Sequence, residues 1–456
     1  MKNVIQKILI ITFSISLIAS CQPKLDAPKA DKGRADFSSY VSIGDGVPAG
    51  YSNGAVNLDG QLASFPNILA KQFATVGGGD FTQPLVPAGI GYGYENGQAA
   101  AVLLLRDSLF SCNGVARLYP GQAGVRTLID IITFKVAATG PFNNMAAQAA
   151  KVIYTNRKAP WIGSLSVGGP DTFWKFFASN PSTKSILTEA LEKNPTFFTI
   201  YLGSTDVFRF AKSGGNQEVA AGPTNDDFIT PVNVFKDSLY NIIKALQANG
   251  AKGAIVNLID LESFPYFRYR KYDDLELTAT QAAALNNQYA SNGFTFNEGR
   301  NAYVIKDALA PNGIRRVHPN EYILLQVPQD SLYCYGLGGS KPLGARWVLD
   351  TKEIQMVNDS LTAFNNVIKQ AAIDFDLAFV DSNTNMKQIL GGTYYNGISI
   401  STTYITGGQF SLDGLNLAPL GQITLANLVI DAVNKKFKST IPFADPNHAL
   451  GIDFGN

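Results

Sequence analysis

The chain has 456 residues, and 46% of them are hydrophobic, enough to bury a sizeable core. Its formal net charge is +1, which lacks the basic footprint of a nucleic-acid partner or of a surface held to membranes by charge. Two histidines in the whole chain, with no CxxC or HExxH pattern, leave no basis for a histidine-built metal site, and no cofactor is expected.

Residues 1–20 read as a leader removed on export. Lys2 and Lys7 flank the start of an apolar run, 8–19, which is too short to span a bilayer. The run ends in Ile18-Ala19-Ser20-Cys21, which resembles a bacterial lipobox, where cleavage precedes an acylated cysteine. An ordinary secretory signal with an incidental cysteine is the alternative. On the lipobox reading Cys21 carries the anchor and residues 21–36 form a tether, since they hold Pro, Lys and Asp without apolar periodicity. The outer membrane is then the expected location and the cell surface the expected face.

About 420 residues remain, read as a single domain over 37–456. Residues 39–44 read as a strand and 62–76 as an amphipathic helix with a proline near its start. "TFFTIYLG", 196–203, is a β-branched and aromatic run of the kind buried on both faces of a parallel sheet. A helix over 231–249 precedes a strand over 253–259, a long helix over 353–375 feeds a strand over 377–381, and a last helix covers 419–437. This alternation predicts an α/β fold of three α/β/α layers around a mainly parallel sheet. Two stretches break the rhythm, near 81–162 and 275–348, and read as insertions on one core. Cys112 and Cys334 lie in them; in an exported protein they are available for a disulfide, or are buried and free.

In an open parallel sheet, chemistry sits at the carboxyl ends of the strands. Three segments should end there: Gly44-Asp45-Gly46, Gly203-Ser204-Thr205-Asp206 and Asp413-Gly414-Leu415-Asn416. Their order and wording resemble the GDSL, or SGNH, hydrolase family, in particular lipoprotein members typical of Bacteroidetes. Stretches such as "SFPNILAKQF", "NPTFFTIYLGSTDV" and "FSLDGLN" extend the likeness over most of the mature chain. The resemblance implies a flavodoxin-like domain whose four blocks supply a nucleophilic serine, a glycine amide, an asparagine and a histidine base. Carried over position by position, the serine falls at Gly46, the glycine at Ala149 in "NNMAAQAAK", the asparagine at Thr205 and the histidine at Asn416. Only the partner carboxylate, Asp413, is kept.

Glycine has no group to attack with, and an amide such as Asn416 cannot take a proton from a hydroxyl at physiological pH. Loss of nucleophile or base alone costs on the order of a million-fold in rate in hydrolases of this logic. The expectation is a pseudo-enzyme. Ser42 and Ser204 are the substitute serines, and neither has an evident base beside it. His318 and His448 read as surface or locally bonded histidines. Asp-Ser-Leu recurs from Asp107, Asp237, Asp330 and Asp359, never after a glycine at a strand end, and resembles a short O-glycosylation site of these bacteria. "YGLGGSKPLG", 335–344, lacks P-loop spacing. Asp45, Asp206 and Asp413 read as carboxylates bonded to turn amides rather than as a metal site.

The expected function is a non-catalytic binding or scaffold subunit, held at the outer membrane and partnered by a β-barrel protein or complex. A glycan- or lipid-binding lipoprotein is the alternative, with Gly46 widening the vacated pocket, and a weak non-standard esterase is the third reading.

Overall fold

A computed structural model describes residues 29–95, 98–110, 115–161, 171–215, 226–334 and 336–449. The leader, Cys21 and Cys112 lie outside the described residues.

Four parallel strands form the central sheet in the order β1 (Tyr40–Gly44), β2 (Phe197–Tyr201), β3 (Lys252–Val256) and β4 (Ala378–Val380). All five residues of β1 and of β2 are buried, as a strand covered on both faces requires. A rudimentary fifth strand adds to the free edge of β1. Ser42 N–H donates to Asn143 O at 2.9 Å, Met145 N–H to Ser42 O at 2.9 Å and Ala147 N–H to Gly44 O at 3.0 Å. Counted by position in the chain, the order is then 2-1-3-4-5, the doubly wound arrangement whose crevice lies beside the first strand. The predicted α/β class is therefore observed.

Helix α1 (Phe65–Ala74) packs with α5 (Pro419–Phe437) on one side of the sheet, and α2 (Ser204–Lys212), α3 (Val232–Leu246) and α4 (Thr351–Asp374) group on the other. In α3 the buried residues are Phe235, Leu239, Ile242, Ile243 and Leu246, one apolar face at helical spacing. Phe235 stacks on Phe364 of α4 with ring centroids 4.0 Å apart. Two Asp-Ser-Leu copies are explained by this packing, because Leu239 and Leu361 are buried core residues of α3 and α4.

The helix expected over 62–76 is observed over the shorter span Phe65–Ala74, and Leu62 belongs to a separate helix before it. That helix, Leu58–Leu62, ends before Ser64, whose backbone is extended (φ −61°, ψ 143°), and α1 then starts at Phe65. Pro66 has no N–H to donate, so it fits only the first turn of a helix, and the break falls just before it.

The irregular region 275–348 carries a second, smaller core that includes Leu275, Tyr289, Tyr303, Val304, Ile323 and Leu343. Arg315 braces it, with Nη1 and Nη2 on the Glu321 carboxylate at 2.7 and 2.8 Å and Nε on Asp307 Oδ2 at 2.6 Å. In the turn 336–339, Gly338 N–H donates to Lys341 O and Gly339 N–H to Gly336 O, and Gly338 O accepts from Val304 N–H, so these two amides are spent internally. The other irregular region contributes an antiparallel hairpin, Leu103–Phe110 with Val115–Gln122. Cys334, closing the helix Gln329–Cys334, is disulfide-bonded.

Candidate functional site

The three expected turns meet at the carboxyl end of the sheet. After β1, Asp45 N–H bonds back to Tyr201 O at 3.2 Å and Ala49 N–H to Asp45 O at 3.2 Å, so Gly46 sits on a tight turn beside the end of β2. After β2, Gly203 adopts φ +120°, and its Cα hydrogens face Phe235 and Leu258. No other residue takes that backbone without strain, and α2 starts there at Ser204.

Asp45 ties the two turns together. Ser204 Oγ donates a short hydrogen bond to Asp45 Oδ2, and Thr205 adds its backbone N–H at 3.3 Å and its hydroxyl at 3.4 Å. Burial pushes the Asp45 carboxyl up to about 6, against the pull of these donors. Sequence reading expected no base beside Ser204; the fold does place a carboxylate there, because the turn after β1 leans on the first turn of α2. Thr205 spends its hydroxyl on the same carboxylate.

Asp206, also buried and also pushed up to about 6 by burial, accepts Thr230 Oγ1 at 2.6 Å and Val152 N–H at 2.9 Å. It thereby clamps the segment carrying Ala149 onto α2. Ala149 itself has φ +68°, the left-handed region that glycine occupies at least cost. Asp413 accepts the backbone N–H groups of Gly54 at 3.0 Å, Leu415 at 2.9 Å and Asn416 at 2.7 Å. Each of the three aspartates is thus engaged by turn donors.

Position 416 faces position 46. A β-carbon built on Gly46 would lie 3.1 Å from Asn416 Oδ1, and it would collide with Gln148 Oε1. The Gln148 carboxamide fills the volume that a side chain at 46 would need. The expected widening of the pocket by Gly46 is therefore corrected: the freed space is occupied from the neighbouring segment. Sequence reasoning passed over Gln148. The signal was present, as it is the one polar residue in the alanine run 146–150.

The substitute residues are placed elsewhere. Ser42 is fully buried within β1 and accepts from Thr199 Oγ1 at 3.2 Å. His318 is exposed in the 275–348 region, where its backbone N–H bonds Glu321 at 2.8 Å. The side chains of Asp107 and His448 lie outside the described residues.

No family model matches the chain, and no curated protein matches it. Among solved structures, one from Parabacteroides merdae ATCC 43184, of a protein proposed to be a GDSL-like lipase, is similar over 89% of this chain and 99% of its own. Its identity is 8% and its TM-score 0.35, a likeness too remote to carry an argument about chemistry.

Proposed function

We propose that the chain is a catalytically inactive relative of the SGNH hydrolases, serving as a binding or scaffold subunit at the outer membrane. One observation carries the reading: the nucleophile's place is taken by the Gln148 carboxamide, opposite Asn416. Two amides face each other where a hydroxyl and an imidazole would have to stand. Neither can attack an ester or take the proton of an attacking hydroxyl near neutral pH. Acylation at Cys21 would fix the protein to the membrane, and an outer-membrane β-barrel or a complex around one is the partner class.

The ends of the domain favour this arrangement. Arg34 N–H bonds Phe437 O and Thr440 N–H bonds Asp31 O, both at 2.8 Å, and Phe437 packs on Phe197 at the start of β2. The chain from Cys21 therefore joins the domain at the pole opposite the cleft. The ten residue steps from Cys21 to Asp31 span at most about 35 Å. An anchored domain would stand close to the bilayer by its base and turn its cleft end away, where effective concentration strengthens modest contacts.

Purified protein is expected to show no turnover of short-chain p-nitrophenyl esters above buffer. Affinity purification from membranes is expected to recover a β-barrel protein in stoichiometric amount; a monomer without one would overturn the scaffold role. The Ser204–Asp45 hydrogen bond favours a second reading, a weak esterase using that pair. Ester turnover abolished by Ser204→Ala would establish it and sink the first.

A further inference from the structure

The short helix Leu128–Thr133, which follows the long hairpin, turns apolar side chains to solvent. Only Ile131 is buried in it, while Ile129 is 67% exposed, Ile132 47% and Leu128 38%, and Val125 just before it is 86% exposed. Leu128, Ile129 and Ile132 share one face at helical spacing. The helix is well founded at its start, where Thr127 and Asp130 close a capping box. The Asp130 carboxylate accepts the Thr127 N–H at 2.7 Å and the Thr127 hydroxyl at 2.8 Å. Behind the helix, Phe134 stacks on Tyr92 with centroids 3.8 Å apart and meets Phe176 edge-on at 5.0 Å. Phe176 and Gln148 line one cavity, so the helix stands at the cleft end of the domain.

Four exposed aliphatic side chains within eight residues offer roughly 400 Å² of apolar surface, a patch size that is often functional on a single chain. Apolar atoms make up about 60% of a typical interface, so a contact centred on this face covers about 650 Å² on each side. Two such sides bury about 1,300 Å², within what a specific stable interface needs. A bilayer surface would call for basic side chains reaching outward around the face. The two beside it are engaged instead: Arg126 lies over the Tyr92 ring at 4.1 Å with Nε on Gly91 O at 2.7 Å, and Lys135 Nζ donates to Lys175 O. Asp130 is spent on its own cap, so the charges of this segment select no oppositely charged partner. An apolar helix face of this kind is complementary to itself.

We infer that residues 125–132 form the apolar centre of an interface between two copies of this chain, related by a two-fold axis. In such an isologous contact Ile129 and Ile132 of one copy lie against the same face of the other. With both copies anchored in one leaflet, the axis stands along the membrane normal, and confinement to the membrane raises their effective concentration. That orientation rests on the anchored reading above; the contact itself does not.

The test uses the full chain in its own membranes, carrying Ile132→Cys, treated with a short thiol-to-thiol cross-linker and resolved on denaturing gels. A product of twice the chain mass is expected. The parent chain, and Ile373→Cys at a still more exposed position on α4, should each give at least tenfold less. Adding Ile129→Glu should cut the Ile132→Cys product at least tenfold while leaving the melting temperature unchanged, because the position is exposed. Equal products from positions 132 and 373, or no dimer from 132, would overturn the proposal. So would an adduct of another mass, which marks a foreign protein, or quenching of a fluorophore on Ile132→Cys by brominated lipids, which marks the bilayer. A dimer recovered without any β-barrel protein would sink the scaffold role and leave this contact standing.

Discussion

At the scale of single residues, Gly46 and Gln148 behave as one feature. A serine at 46 must push the Gln148 carboxamide aside, and the obstruction is the end of a flexible side chain rather than backbone. Gly46→Ser should therefore cost only about 1–2 kcal/mol, the usual size of a local overpacking strain. In a Gln148→Ala background the same change should cost markedly less, and a double-mutant cycle by urea denaturation measures the coupling. Additive costs would remove the steric link. The cycle also conditions any attempt to restore chemistry: Gly46→Ser with Thr205→Asn and Asn416→His needs Gln148→Ala as well. Ala149→Gly carries a separate expectation. Relief of the left-handed strain at φ +68° exceeds the entropy that glycine adds to the unfolded chain, so stability should rise by about 0.5–1 kcal/mol. Positions 46, 205, 413 and 416 were legible in the sequence because each lies in a short turn after a recognisable strand or before a recognisable helix. Gln148 stood out only as the polar residue of an alanine run; its role was not legible, since it depends on which way one side chain points across a segment that pairs with β1 from a hundred residues away.

At the scale of elements, what local pattern dictates was legible and what distant pairing dictates was not. Strands β1 and β2 are short runs buried on both faces, β3 is buried except at Lys252 and β4 except at half-buried Phe379, while α3 and α4 carry helical periodicity over several turns and α5 is buried all round from Leu420 to Asn427. The expected 419–437 helix matches α5, which starts with a proline inside its first turn. The edge strand over 143–147 and the hairpin of Leu103–Phe110 with Val115–Gln122 have no comparable period, because their partners and not their own composition hold them. The packing between elements gives a quantitative expectation. Phe235 is fully buried, stacks on Phe364 and also closes over Gly203, the residue that launches α2. Phe235→Ala should cost about 3–5 kcal/mol, read as a fall in urea midpoint. A loss below about 1 kcal/mol would mean that α3 and α4 are not packed through this pair.

At the scale of the whole molecule, two buried carboxyls and a half-buried one shape how stability depends on pH. Burial holds Asp45 and Asp206 at about 6, and burial together with the neighbouring Asp350 charge holds Glu353 at about 7 against the Asp350 amide it accepts. Each lies above its ordinary value, so between roughly pH 4 and 7 the folded chain keeps protons that the unfolded chain has shed. Stability then falls as pH rises through that window, and the three contribute no further slope once all are ionised in both states. Asp307 and Asp381, held below the ordinary range, act in the opposite sense, but their contribution is lost only as pH drops below about 4. The melting temperature should accordingly be higher at pH 5 than at pH 8. Glu353→Gln isolates one carboxyl, because a glutamine can still accept the Asp350 amide without carrying charge. At pH 8 the variant should melt at least roughly 2 °C above the parent, and at pH 5 the two should coincide. A melting temperature that climbs from pH 5 to pH 8, with Glu353→Gln destabilising at both, would mean that the carboxylate at the start of α4 is stabilised by its surroundings rather than strained by them.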